Sequence, residues 1–213
     1  MSETIETERL LLRPWRADDR AEAESLFGYA SDQRIGPLCG WPPHGDVEES
    51  MGVIRNVFSV ENNWAVTIRD AASAGVGVSE PVGCIDLKPM RHFDGNGEPG
   101  SMIDERYVRY ADGNVLEVGY WVGCPFWGKG YMPEALRAVF GYAFDVLHVD
   151  AVWGAHYVEN TQSGRVMEKC GMTVAGQLKH HRFPLIGEYH DETLRIITAD
   201  EWKATRSAAS AVR

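Results

Sequence analysis

The chain has no apolar run approaching membrane-spanning length, which argues against a transmembrane helix. Cysteine is scarce. Cys39, Cys84, Cys124 and Cys170 lie far apart with no CxxC spacing, so neither a disulfide framework nor a zinc site is expected, and reduced thiols in a cytoplasmic setting are. Positive charge is in deficit: 21 Lys and Arg face 31 Asp and Glu, for a formal net charge of -10. Without a basic stripe, nucleic acid and anionic membranes are poor partners. The opening MSETIETER is acidic and lacks the basic start and apolar core of a signal peptide. No GxGxxG follows an N-terminal strand, and no repeat or low-complexity block occurs. What remains, 213 residues with 44% hydrophobic and 24% charged, is ordinary globular composition with length for one well-filled domain.

The most informative stretch that is present runs from Leu116 to Leu147. A short apolar strand meets Trp127-Gly128-Lys129-Gly130-Tyr131-Met132, and a helix follows. Pro133 suits its first turn, and Glu134 suits the dipole there. Ala135, Leu136, Val139, Phe140, Ala143, Phe144 and Leu147 repeat at helical spacing. Glycines permit close backbone approach, and the N–H groups of a first helical turn have no intrahelical acceptor. A phosphate or pyrophosphate is the natural guest. The competing reading is that the glycines only shape a turn.

Gly123 to Lys129 fits GxxxxGK, but Gly130 stands where a P-loop needs Ser or Thr for magnesium, and Pro125 removes one N–H. A nucleoside triphosphatase is disfavoured and stays open as an alternative.

The rest of the chain indicates an α/β domain. Strands are expected at 9–15, 64–68, 82–87, 151–158, 173–183 and 188–198, and helices at 17–29 and at 46–60, the latter capped by Asp46. Residues 71–80 read as a hairpin loop and 207–213 as a tail. The polar segment 89–114 reads as a surface excursion, a substrate lid or a homodimer contact.

Glu117-Val118-Gly119-Tyr120-Trp121, the Trp127–Leu136 stretch, Glu159-Asn160-Thr161-Gln162-Ser163 with Glu168 to Met172, and the opening Thr7 to Trp15 together resemble the GNAT (GCN5-related N-acetyltransferase) superfamily, in its RimJ/RimL-like branch. The resemblance spans essentially the whole chain. It implies an α/β (α+β) single domain, with a mixed central sheet of about seven strands and about four helices. Its fourth and fifth strands, here 115–123 and 151–158, splay apart around pantetheine. It also implies acetyl-CoA as co-substrate, without a metal, and a primary-amine acceptor that is either a protein N-terminus or a small molecule. The CoA pyrophosphate falls on Trp127, Gly128, Lys129, Gly130, Tyr131 and Met132; a backbone donor for the thioester oxygen falls on Tyr120, Trp121 or Val122; Asn160 falls on the pantetheine amides.

The chemistry needs a proton acceptor for the amine, an N–H donor for the thioester oxygen, and a hydroxyl for the leaving thiolate. Ser163 matches the branch's serine, while a tyrosine used elsewhere in the superfamily is replaced by Met167. Ser163 could equally be a helix-start residue. For the base, Glu117 is the first candidate, against the plainer reading of a solvent-facing strand residue. Arg182 stands where some relatives carry a glutamate base, so His181 or His180 is the alternative, and strand alternation lets only one face the site. His156 and His190 read as structural. Trp41, His44 and Trp64 are candidates to shape the acceptor pocket. A protein that binds CoA without catalysis is the alternative from another functional class.

Overall fold

The structure, a computed structural model, describes residues 2–90 and 102–211. They group into two compact units, Met1–Leu87 with Tyr120–Ala138, and Lys88–Gly119 with Val139–Arg213.

In the first unit, β1 (Ile5–Glu6), β2 (Leu10–Arg13), β3 (Asn63–Ile68) and β4 (Pro81–Pro89, whose last two residues enter the second unit) pair antiparallel in chain order. Helix α1 (Arg20–Ala30) starts where Asp19 accepts a hydrogen bond from the Ala21 N–H. It buries Ala23, Leu26 and Ala30 at helical spacing. Its Glu22 is buried too, 2.5 Å from Arg13. Losing either partner would leave a buried charge uncompensated, at a cost on the order of 3–5 kcal/mol. Asp46 caps α2 (Val47–Val53) as expected, accepting from the Glu49 N–H. The helix expected to run through Val60 instead widens into a π-turn at Ile54–Phe58. A short α3 (Ala71–Ala74) occupies the start of the expected hairpin loop.

In the second unit the strand order is β6 (Val115–Val122, represented here by 115–119), β7 (Ala151–Tyr157), β9 (Glu188–Thr198), β8 (Thr173–Phe183) and β5 (Met102–Ile103). The β6–β7 pairing is parallel and runs only from Val115 opposite Ala151 to Glu117 opposite Trp153, although β7 continues to Tyr157. Directly opposed residues point to the same side. Glu117, Trp153, Tyr157, Glu192 and Leu178 therefore share one face, and Gly154, His156 and Arg195 the other. On the second face lies α5 (Thr161–Lys169). Met167 packs on Gly154, and a Cβ at Gly164 would come within 2.9 Å of the His156 ring. The first face buries Tyr107, Trp153, Leu178, Leu194 and Ile196 together. Helix α4 (Tyr131–Asp145) enters this unit from Val139, and α6 (Ala199–Ala211) sets Trp202 against Phe140 and Phe144 at 5.9 and 6.0 Å.

The described residues thus hold nine strands and six α-helices, more than the seven and four expected. The additional elements include β1, β5 and α3. At two and four residues they are too short for any periodicity to register. The hairpin strands β8 and β9 fall at the bounds their pattern indicates. Residues 91–101 of the expected 89–114 excursion lie outside the described residues, as do 212–213 of the expected tail. The remainder of the tail, to Ala211, is helical.

Candidate active site

In the first unit the expected anion loop leaves β6, makes a 3-10 turn at Cys124–Phe126 and enters α4 at Tyr131, two residues before Pro133. Pro133 still lies in the first turn, where its missing N–H costs no helical bond. Gly128 and Gly130 have φ of 74° and 79°, a left-handed conformation that disfavours any other residue. A Cβ at Gly128 would meet nothing within 4 Å, so that face of the loop is open. The indole of Trp127 donates to the Val122 carbonyl at 2.8 Å, and Lys129 Nζ lies 5.4 Å from the Phe126 ring centroid. Gly83 lets β4 approach this strand end closely: a Cβ there would lie 2.4 Å from the Trp121 carbonyl oxygen.

A clamp holds the loop from outside. Glu134 accepts from the Thr7 hydroxyl at 2.6 Å, the Arg9 N–H at 2.8 Å and Arg9 Nε at 2.6 Å. Arg9 Nη1 also donates to the Lys129 carbonyl at 3.0 Å, and its guanidinium lies 4.8 Å from the centroid of the Tyr131 ring. Burial alone would raise the Glu134 carboxyl. The Thr7 and Arg9 hydrogen bonds and the Arg9 charge outweigh it and hold the group below the usual carboxylate value. Thr7 and Arg9 belong to the opening read only as a first strand. Their link to Glu134 crosses more than 120 residues and leaves no local signal.

Trp41 packs edge-on against Trp121 at 6.0 Å, and His44 bonds the Ser50 hydroxyl at 2.8 Å. Trp64 is fully buried, with its indole N–H on the Glu3 carbonyl. It is core rather than pocket wall, a correction to the sequence expectation. Cys124 lies beside Asp32 and Arg34. Burial is the main cause that raises its thiol, reinforced by Asp32.

The second unit carries the other expected residues. Glu117 is 5% exposed, with Lys88 Nζ at 3.4 Å, so the solvent-facing alternative does not hold. Asn160 is the N-cap of α5: its Oδ1 accepts from the Ser163 N–H at 3.2 Å, which places Ser163 in the first turn. His156 holds the Tyr157 carbonyl through Nδ1 at 2.8 Å, and burial lowers its pKa. His190 stacks on Tyr157 at 4.0 Å. Burial would lower its pKa, but its hydrogen bonds to the Glu188 and Glu159 carboxylates raise it on balance.

The β8–β9 hairpin departs from strict alternation. Leu178 opposes Glu192 and His181 opposes His190, so three steps along β8 match two along β9. His180 absorbs the extra residue at φ 51° and stacks on Tyr189 at 4.3 Å. Such a bulge re-aims the following side chain. His181 therefore joins the face of Glu192, and its Nδ1 lies 2.5 Å from Glu192 Oε2. Glu192 is 4% exposed and was not singled out in the sequence, where it is one acid among polar neighbours in Glu188 to Thr193.

No helix among the described residues is long and apolar enough to cross a membrane. The model of the acetyltransferase (GNAT) domain family matches residues 9–173. The chain belongs to this family of acetyltransferases, enzymes that use acetyl-CoA, and its mixed α/β architecture is the GNAT fold. It is similar to the uncharacterized N-acetyltransferase p20 of Bacillus licheniformis, 26% identical over 184 residues, 84% of this chain and 87% of that one. It is also similar to the [ribosomal protein uS5]-alanine N-acetyltransferase of Escherichia coli, 28% identical over 89 residues, 42% of this chain and 45% of that one. Among solved structures, the spermidine N-acetyltransferase of Vibrio cholerae in complex with CoA and spermine superimposes with a TM-score of 0.63 at 17% identity, covering 92% of this chain and 99% of that one.

Proposed function

We propose that this enzyme moves an acetyl group from acetyl-CoA to a primary amine by direct attack within a ternary complex. The observation that carries the reading is the open, left-handed Gly128–Gly130 loop at the start of α4, tied from outside by Arg9 and Glu134. A cradle whose two glycines present bare backbone at a helix N-terminus fits a pyrophosphate. Trp127 to Met132 would hold that group mainly through backbone N–H donors. The amine class rests on the alanine and spermidine acetyltransferases to which the chain is similar.

The co-substrate supplies an activated acetyl thioester. The chain's own residues supply the rest. A backbone N–H in Tyr120 to Val122 is assigned to the thioester oxygen, where a fixed donor acts as charge develops. Asn160 is assigned to the pantetheine arm. Support for a place for that arm comes from the parallel ladder, whose pairs end at Glu117 and Trp153. Ser163 is assigned a hydrogen bond to the departing sulfur, and Glu117 and His181 are the candidates for the amine proton.

Calorimetry and turnover test this together. CoA and acetyl-CoA should bind without magnesium, and an amine panel read by thiol release should yield an acceptor. Magnesium-dependent ATP binding without CoA binding would overturn the proposal. CoA binding with no acceptor across peptides, polyamines and drug-like amines would favour the non-catalytic alternative.

A further inference from the structure

The geometry points to a His181–Glu192 dyad that takes the proton from the acceptor amine, with His181 as the catalytic base and Glu192 as its positioning residue. This rests on the acetyl-transfer reading above and adds a residue to it. Three features converge, the first two being aspects of one irregularity. The first is the bulge. With strict alternation His181 would point to the face opposite Glu192, and the extra residue at His180 brings it to the same face. The second is backbone strain. His180 is neither glycine nor asparagine, yet it sits at φ 51°, and such conformations persist where the surroundings impose them. The third is the pair itself. A carboxylate 4% exposed holds Nδ1 of a ring whose side chain is 34% exposed. A carboxylate on Nδ1 fixes the tautomer with the proton there and leaves Nε2 as the basic nitrogen.

The dyad shares its face with the other candidate base. Glu117, Tyr157 and Glu192 share it, while Ser163 belongs to α5 on the opposite face. Proton removal and thiolate stabilisation are thus served from opposite sides of the sheet. The nitrogen lone pair forms the new bond to the acetyl carbon, and the carbon–sulfur pair leaves with sulfur. The N–H proton passes to His181 Nε2 and is then returned through water to the departing thiolate, so His181 regains its neutral form and the exchange is balanced without further reactants.

Among the described residues, charged and titratable groups surround the dyad on its own hairpin and on β7. Lys179 pairs with Asp191 along the hairpin at 2.8 Å. His190, opposite His181, is held by Glu159 and Glu188. Tyr157 lies alongside on β7, and Lys88 with Glu117 on the same face further across. From the far face, His156 feels the Glu192 charge, with Arg195 Nε at 3.4 Å.

The experiment uses the full chain and has two arms. In the first, nitrogen-15 NMR of labelled histidine should show a neutral His181 ring protonated on Nδ1, with that signal missing in His181→Gln. A neutral ring protonated on Nε2 would overturn the dyad. In the second, kcat/KM for a peptide with an N-terminal alanine, or for spermidine, is followed across the pH range of imidazole titration. His181→Gln should lower it on the order of 10²-fold and remove the rising limb, with CoA affinity unchanged. Glu192→Gln should lower it roughly tenfold, and Glu192→Asp should recover part of that loss. A His181→Gln enzyme that keeps the limb, or a Glu117→Gln enzyme that alone loses it, would overturn the proposal. Absence of CoA binding in the wild type would instead break the acetyl-transfer reading, and the NMR arm would still decide the dyad.

Discussion

The Gly128–Gly130 loop and the β8–β9 hairpin reach function by opposite routes. The loop works through its backbone. Its two left-handed glycines and the start of α4 are contiguous, and side chains enter only as the clamp from Thr7, Arg9 and Glu134. The hairpin works through side chains, and its backbone matters because one misfit residue redirects them. A backbone device tolerates changes in what surrounds it and fails when its own dihedral angles are denied. A side-chain device tolerates backbone detail less and depends on which partners meet.

The largest expected effect lies in the loop. Gly128→Val and Gly130→Val each force a β-branched residue into the left-handed region, at roughly 1–3 kcal/mol. CoA affinity measured by calorimetry should fall about tenfold to a hundredfold. Unchanged affinity in both would break the comparison at its first term.

Ser163→Ala comes next. Turnover should drop about tenfold while acetyl-CoA affinity holds, because the hydroxyl matters most as charge gathers on sulfur. Asn160→Ala should do the reverse and also cost about 1 kcal/mol of stability through loss of the α5 cap. Full turnover in Ser163→Ala would leave Ser163 as a first-turn residue only.

The fold was legible where elements were long. The α4 apolar face and the β8 and β9 runs could be read from spacing alone. The glycine loop was legible because its parts adjoin. The clamp and the dyad were not. Arg9 and Glu134 are 125 residues apart, and the Glu192 partnership depends on a bulge that alternation cannot foresee. Alternation over His180 and His181 was the right rule for a regular strand, and the strand is irregular at that point.

Glu134→Gln sharpens the clamp with a smaller effect, on the order of 1 kcal/mol in urea unfolding. The Glu134 carboxyl is held below its ordinary value, so its contribution is present above the usual carboxylate range and is lost as pH falls through the folded value. The stability gap between wild type and Glu134→Gln should therefore close on acidification. A gap independent of pH would place its origin outside the carboxylate. The smallest effect belongs to His190, whose pKa is raised on balance by Glu188 and Glu159. Its ionic contribution is full below the ordinary histidine value and fades as pH rises through the folded one. His190→Phe should keep the stack on Tyr157 and lose a few tenths of a kcal/mol, on the acid side only.

A single extra residue in β8 also has a genetic consequence. One codon supplies it, and one codon removes it. Deleting residue 180 would return the outer hairpin to regular alternation and place His181 two steps from Leu178, still opposite His190 and on the face of Glu192. The bulge can therefore arise or vanish by insertion and deletion while the two residues keep a common face. Among relatives it would appear as a one-residue gap in the strand, invisible to any count of substitutions.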